Sequence, residues 1–398
     1  MAMTKELRLT EIQGRGRSLV AAQPLKGGQI ILRDSPILLY SALPLLTPSP
    51  SPYCDHCFKT LHPQNAAVSL CPSCSHHRFC SPTCLSAAHS SSHSPFVCHS
   101  LSKLRNCPSP LSSQPPDRQV QARFLIAAYN LAAVSPASFQ VLLSLQGEPR
   151  DSEEAQFLHS LISTLCPPPQ QQQVFMVEIT AALLAKDKLN AFGLMEPPSE
   201  LGLRSSRAYG VYPKASFFNH DCLPNACRFD YVDEANTDIV VRMIHDVPAG
   251  REVCLSYFPV NEPFSRRQRT LAEDYGFVCK CDRCNVEANW SDNEEAEEEG
   301  DGSAEGMDED QDQEMEGDSE SEAGCDIVDG AQGEADFPHA YFFVRFMCSR
   351  TNCWGTLAPL PPKDDGTSSG VMECNVCGSV KKDEEISGHG QNGLGLEG

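Results

Sequence analysis

Gly210-Val-Tyr-Pro-Lys-Ala-Ser-Phe-Phe-Asn219-His220-Asp-Cys222-Leu-Pro224-Asn225 is the stretch on which the reading of this chain turns. It joins a polar Asn-His pair, a cysteine and a Pro turn. Downstream come Leu255-Ser-Tyr257-Phe258, a tyrosine among apolar neighbours, and then Tyr275-Gly-Phe277-Val-Cys279-Lys-Cys281-Asp-Arg-Cys284. Cys279-x-Cys281-x2-Cys284 supplies three thiolates within six residues, and a tetrahedral Zn2+ needs a fourth ligand from elsewhere in the chain. Cys222 is the natural candidate. One ion holding both segments would pin residues 275–284 against residues 216–225, so that Tyr275 and Phe277 face Asn219, His220 and Tyr257. The pattern asks for a pocket closed by metal.

Composition sets outer limits. A chain of 398 residues is long enough for two or three domains and a sizeable core. The net charge of -22 is a property of one segment: residues 292–336 carry 21 Asp or Glu and no Lys or Arg, and the remainder is close to neutral. No basic patch points to nucleic acid. Twenty cysteines would suggest disulfides in a secreted protein, yet the first residues contain no apolar signal core and no membrane-length apolar run follows. Metal sites in a reducing compartment fit better. Cys107, Cys166, Cys227, Cys254 and Cys325 fall outside ligand-like clusters and read as small buried hydrophobes or idle thiols.

In chain order, residues 7–40 alternate or run apolar around Gly and Pro and read as short strands joined by tight turns, one of them at Gly14-Arg15-Gly16. Ser41 to Pro52 is a Pro/Ser-rich linker. Then follow Cys54-x2-Cys57, Cys71-x2-Cys74, Cys80-x3-Cys84 and His93-x4-Cys98, eight ligands for two closed zinc sites. So small a segment lacks the apolar residues to fold without metal. Residues 99–118 are again Pro/Ser-rich. From Gln119 to Leu189 the apolar period becomes helical, through Phe124, Leu125, Ala128, then Phe157, Leu158, Leu161, then Val174, Phe175, Val177 and Leu183, which predicts three or four helices. Asp151 with Glu154 reads as a capping box. Tyr209 to Tyr257 returns to strands, the last of them, Val253-Cys-Leu-Ser-Tyr257, ending at the tyrosine beside a loop.

The run NHDCLPN, the SYF that follows it and the closing CxCxxC, in that order, resemble the SET-domain protein-lysine methyltransferases with their post-SET zinc motif. The eight-ligand segment resembles the MYND zinc finger. A finger interrupting a SET domain after its first strands marks the SET-MYND family, here of the plant ASH-related type, and the likeness covers residues 1 to about 290. It implies an α+β fold: a mostly β SET core of short strands with a helical insert, plus small zinc-bound modules. The expected divisions are 1–53 (first part of SET and linker), 54–98 (finger), 99–200 (linker and helical insert), 201–265 (second part of SET), 266–290 (post-SET), 291–336 (acidic, disordered), 337–384 (zinc-ribbon-like) and 385–398 (disordered tail).

The resemblance also implies ligands and roles. In the finger, ligands interleave: Cys54, Cys57, Cys80 and Cys84 on one ion; Cys71, Cys74, His93 and Cys98 on the other. The family spaces its last His and Cys by three residues, here by four, and His89 lies one turn earlier, so the histidine is less firmly marked than the seven cysteines. The cofactor implied is S-adenosylmethionine, bound by Arg15-Gly16, Asn219, His220, Tyr257 and Phe277. Phe192 and Tyr275 would wall the lysine channel. Methyl transfer from the sulfonium to a lysine ε-amine is an in-line displacement needing an aligned, uncharged amine, whereas a free lysine titrates near 10.4. Tyr257 is the candidate for the reacting centre, its role as a base left open. The zinc ions, fully ligated, would do no chemistry.

Beyond the acidic tract, Cys348-x4-Cys353 and Cys374-x2-Cys377 read as a fourth zinc site. Relatives continue into a long helical domain. Its absence here predicts a more open substrate cleft. The functional expectation is a histone-lysine methyltransferase acting on chromatin in the nucleus, with proline-rich peptides as partners of the finger. The alternative is a non-catalytic scaffold with a vestigial SET core, which the presence of Asn219, His220, Tyr257 and the post-SET thiols disfavours.

Overall fold

The computed structural model describes residues 4–47, 49–62, 67–149, 152–168, 175–196, 205–288, 339–363, 367 and 369–382. Asp151, Val174, the acidic tract 292–336 with Cys325, and the tail 385–398 lie outside the described residues. Among the described residues no cysteine is in a disulfide, and no helix is long and apolar enough to cross a membrane.

Strands β1 (Leu7–Ile12) and β2 (Gly16–Ala21) form an antiparallel hairpin. Its turn is closed by Arg15 N–H donating to the Ile12 carbonyl at 2.9 Å, with Gly14 at φ 77°. Only glycine enters that region without strain. β3 (Ile30–Asp34) and β4 (Leu38–Ser41) follow and go to different sheets. The finger then adds β5 (Ser69–Leu70), β6 (Arg78–Phe79), α1 (Pro82–His89) and α2 (Pro95–Asn106). Apart from sulfur, its core is little more than Leu61, Phe79 and Ala88. That is too little apolar area to offset chain entropy without metal.

The Pro/Ser-rich stretch 99–118, expected to link, is mostly helical. α2 runs through to Asn106, α3 (Ser109–Ser112) follows, and α4 (Pro116–Val134) starts in it. Proline is well placed at a first helical turn, where its missing N–H would be unbonded anyway, so prolines here open helices. With α4 come α5 (Pro136–Ser144), α6 (Glu153–Leu165) and α7 (Val177–Asn190). α4 buries consecutive residues Phe124, Leu125 and Ile126, and so lies at the centre of the bundle. The capping box is corrected: Ser152 caps α6 by accepting the Ala155 N–H at 3.2 Å, while Glu154 turns to pair with Arg118.

The core returns with β7 (Ala191–Met195) and β8 (Ser206–Val211), giving the antiparallel order β4-β8-β7. β9 (Asn219–His220) is followed by β10 (Ala226–Tyr231) and β11 (Asn236–Met243), which make the order β10-β11-β3. β12 (Cys254–Leu255) pairs parallel with β9. The strand predicted to reach Tyr257 stops at Leu255, because the Ser256 hydroxyl donates to the Phe258 carbonyl at 2.7 Å and turns the chain out of line. α8 (Phe264–Thr270), a π turn (Leu271–Tyr275) and α9 (Asp282–Glu287) complete this half.

The carboxy-terminal segment comprises α10 (His339–Phe346) and the antiparallel sheet β13 (Leu357–Pro359), β14 (Val371–Cys374), β15 (Val380–Lys382). It packs on β10 and β11: Phe342 and Phe346 share a core with Phe229 and Val240. Arg242, stacked 3.8 Å over Phe229, pairs with Glu373 at 2.8 Å. Gly28, at φ 81°, lies so close that an added Cβ would sit 2.4 Å from the Leu360 carbonyl. Gly28→Ala should therefore cost about 2–4 kcal/mol, from the left-handed backbone and overpacking together. Thermal melting would measure this. A melting point within 1–2 °C of wild type would show that the segment is not docked there.

Candidate active site

Four ligand sets are assembled, each with its atoms within 4.8 Å of one another: Cys54/Cys57/Cys80/Cys84, Cys71/Cys74/His93/Cys98, Cys222/Cys279/Cys281/Cys284 and Cys348/Cys353/Cys374/Cys377. A zinc ion at about 2.3 Å from each sulfur of a tetrahedron requires sulfurs about 3.8 Å apart. The Cys57–Cys80, Cys71–Cys98, Cys348–Cys377 and Cys222–Cys279 separations are 3.7, 3.8, 3.8 and 4.0 Å. That spacing fits a bound ion and is far longer than a disulfide. Burial pushes His93 down to about 4, which keeps its imidazole neutral and able to ligate. His89 Nε2 stays 3.7 Å from Cys71 Sγ, outside the four.

The third set joins segments 57 or more positions apart in sequence. Four thiolates around one dication leave two negative charges, and buried donors face them. His220 Nε2 lies 3.2 Å from Cys222 Sγ and Arg267 Nη2 lies 3.7 Å from Cys284 Sγ. Such donors orient ligands and offset their charge. Arg267 is fully buried and bonded to Glu287 at 2.5 Å. The neighbouring Gln268 bonds the Cys279 backbone at 2.9 and 3.1 Å, so Arg267 and Gln268 are part of the clamp.

Asn219 and His220 are presented by a turn that Asp34 holds, its carboxylate accepting the Lys214 and Ala215 N–H groups at 2.7 and 2.9 Å. The Tyr257 N–H donates to His220 Nδ1 at 3.1 Å, which fixes the imidazole with its proton on Nε2, toward the thiolates. Burial pushes this ring down to about 3, so it stays neutral. The His220 side chain is consumed by the clamp, and only its backbone faces outward: its carbonyl accepts from Arg15 Nη2 at 3.0 Å. Tyr257 O–H donates to the Phe218 carbonyl at 3.0 Å. Its ring lies 5.2 Å from His220 and 4.8 Å from Tyr275, while Phe277 is 6.5 Å from His220. Burial raises the Tyr257 phenol well above its ordinary value.

On one side of this group lie Arg15, Gly16, Asn219 and Phe277. Arg15 Nε pairs with Glu252 at 2.6 Å, and Asn219 Nδ2 bonds Ser18 Oγ at 2.8 Å and Glu252 Oε1 at 2.9 Å. Gly16, at φ 70°, has open space where a Cβ would stand, so a ligand can approach its backbone. Phe277 is 39% exposed. An exposed ring, a half-exposed guanidinium and bare main chain suit a nucleoside carrying an amino acid, and the residues fit S-adenosylmethionine. On the other side is a cavity of about 540 Å³, lined by Phe192, Tyr209, Phe218, Tyr257, Tyr275 and Trp354 among others. Phe192 and Tyr275 are thus brought together with Tyr257.

Asn225 belongs to the NHDCLPN motif, but its contacts, and any part played by Glu252, Trp354 and Asn375, had no local signal. Asn225 accepts the Cys254 N–H at 2.9 Å and donates to the Glu252 carbonyl at 2.8 Å, stitching the tyrosine's strand to the NHDCLPN loop. Glu252 holds both Arg15 and Asn219. Cys353, Trp354, Thr356, Asn375 and Val376 line the cavity although they follow the acidic tract. The cleft expected to be open is therefore walled by the carboxy-terminal module, whose apolar face β10 and β11 cover. Of the cysteines outside the clusters, Cys166, Cys227 and Cys254 are buried and Cys107 is exposed.

The SET domain family model matches residues 137–258. The chain is 60% identical over 393 residues to a histone-lysine N-methyltransferase ASHR2 of Arabidopsis thaliana, covering 95% of this chain and 96% of that one. It is 26% identical over 300 residues to histone-lysine N-methyltransferase ASHR1 of the same plant, covering 73% and 57%. A potential protein lysine methyltransferase SET6 of Saccharomyces cerevisiae is 28% identical over 121 residues, covering 30% and 31%.

Proposed function

The chain belongs to the SET-domain family of histone-lysine methyltransferases of the SET-and-MYND type, and from that premise we propose that it methylates a protein lysine, with histone as the substrate class. The observation that carries this reading is the position of Tyr257, at the junction of an aromatic cavity with the group formed by Arg15, Gly16, Asn219 and Phe277. S-adenosylmethionine would be held by Arg15, Gly16, Asn219 and Phe277 and would supply an activated methyl group.

The chain's own residues prepare the acceptor. Phe192, Tyr257 and Tyr275 enclose the lysine stem and exclude water, and a cavity of low polarity disfavours the ammonium form. The Tyr257 phenol keeps its proton and donates it to the Phe218 carbonyl, so its lone pairs face the reacting atoms as acceptors. It orients the amine and takes no proton from it. Phe277 would cover the nucleoside ring and Arg15 would meet the carboxylate, while Glu252 keeps Arg15 and Asn219 aimed. The clamp of Cys222, Cys279, Cys281 and Cys284 would hold one zinc ion with no open position, and the other three sets one each.

A histone substrate places the protein on chromatin in the nucleus. For the finger, a cavity of about 330 Å³ lined by His89, Pro95 and His99 beside the ligands His93 and Cys98 supports docking of a proline-rich peptide.

Because the acceptor must lose a proton that Tyr257 does not take, kcat/KM should climb with pH at close to unit slope from about 7 to 9.5, following the lysine ammonium, whose ordinary pKa is about 10.4. A pH–rate profile measures this. A plateau beginning near pH 7 would show a base within the site. Incubating the protein with labelled S-adenosylmethionine and core histones tests the function itself, and absence of labelled histone with donor bound would reject the histone assignment.

A further inference from the structure

The carboxy-terminal module does more than cap a sheet. Trp354 follows the ligand Cys353 directly, adopts φ 51°, and is 50% exposed although it lines the cavity that holds Tyr257. A half-exposed indole at the rim of a cleft offers a large apolar face to whatever chain enters it. Its loop is rigid. Gly355 cannot be replaced, since a Cβ there would lie 2.3 Å from Cys374 Sγ. Asn375 accepts the Thr356 N–H at 2.8 Å and reaches across to donate to the Arg228 carbonyl at 3.2 Å.

Arg228 is the second half of the observation. It lines the same cavity from β10, with its guanidinium 5.5 Å over the Phe192 ring. Among the described residues lining the cavity it is the only charged one, so the lining itself offers it no carboxylate. A guanidinium in a largely apolar cleft gains most from a carboxylate presented by the ligand, through paired N–H···O bonds.

We infer that the carboxy-terminal zinc module is a wall of the substrate cleft, and that Trp354 and Arg228 select a lysine flanked by an acidic residue. This rests on the lysine methyl transfer proposed above, and it names the peptide class. The cavity places Phe192, which walls the lysine, under Arg228, so the acidic side chain stands within a residue or two of the methylated position. Trp354 packs over the same segment from outside.

The test uses the full chain, labelled S-adenosylmethionine and a library of lysine-centred peptides with mixed flanking positions. Wild type should label peptides with Asp or Glu beside the lysine preferentially. Arg228→Ala should erase that preference. Trp354→Ala should raise KM about five-fold or more with kcat little changed, and Trp354→Phe should restore most of it. Zinc content and melting point are followed for each variant. Equal labelling of acidic- and basic-flanked peptides by wild type, or an unchanged KM in Trp354→Ala, overturns the inference. So does loss of zinc or of donor affinity in Trp354→Ala, which would make that residue structural. Wild-type protein that binds donor and labels no peptide overturns lysine methylation itself and the inference with it, and is told apart by the blank wild-type lane.

Discussion

A Cys284→Ser protein is expected to lose methyl transfer by roughly 10³-fold or more and to carry one zinc ion fewer than wild type. Structural zinc contributes on the order of 10–16 kcal/mol in finger peptides, and removing one of four ligands forfeits a large part of it. Little else holds this segment: within the clamp's core, Leu271 is the one fully buried apolar side chain beside the cysteines. Without the ion, the buried Arg267, which shares Glu287 with Arg283, loses the Cys284 thiolate it faces. Tyr275 then leaves Tyr257 and Phe277 leaves His220, so acceptor channel and donor side fail together. The bundle around Phe124, Leu125 and Leu158 is a separate core, so the main thermal transition should persist while trypsin gains access near Lys280. Zinc stoichiometry, rate and limited proteolysis check this. Full activity with the ion lost would mean the clamp is dispensable.

The second large effect is confined to one atom. Tyr257→Phe keeps the ring between His220 and Tyr275 but removes the oxygen bonded to the Phe218 carbonyl. Losing one preorganised polar group at a reacting centre typically lowers kcat by about 10²–10³-fold, and a fall of that order is expected with donor affinity within about three-fold. Tyr275→Phe, whose ring contributes a wall, should fall less than about ten-fold. Equal labelling rates for Tyr257→Phe and wild type would remove the role given to the phenol. A loss that tracks weaker donor binding would reassign the residue to the donor side.

Much of the site was legible because metal ligands announce themselves by spacing. Three thiols in CxCxxC are one ligand short, and a single cysteine beside Asn219-His220 could supply the fourth. His220 shows the limit of such reading. The resemblance marks it as a donor-binding residue without saying through which of its groups, and the ring is spent on the Tyr257 N–H and the Cys222 sulfur. Which of a histidine's groups faces a ligand depends on neighbours 37 positions away, and no local pattern carries that. The helix over 95–106 was hidden for a different reason: proline reads as a breaker along a chain, yet at the first turn of a helix it is neutral.

What the sequence by itself determined is the chemistry present: four ligand sets, a tyrosine after an Asn-His loop, and a helical block between two runs of strands. Spacing and residue type are enough for that, since thiolate number and apolar period are local properties. What only the tertiary structure decided is how distant pieces share one cleft. Glu252 aims both Arg15 and Asn219, Asn225 ties the loop to the tyrosine's strand, and Trp354 and Asn375 close a cavity begun by Phe192. These contacts span from 27 to more than 160 positions. The last of them comes from packing two apolar surfaces, β10 and β11 against α10 and β13. Burial is non-directional, and only the finished fold shows which surfaces meet.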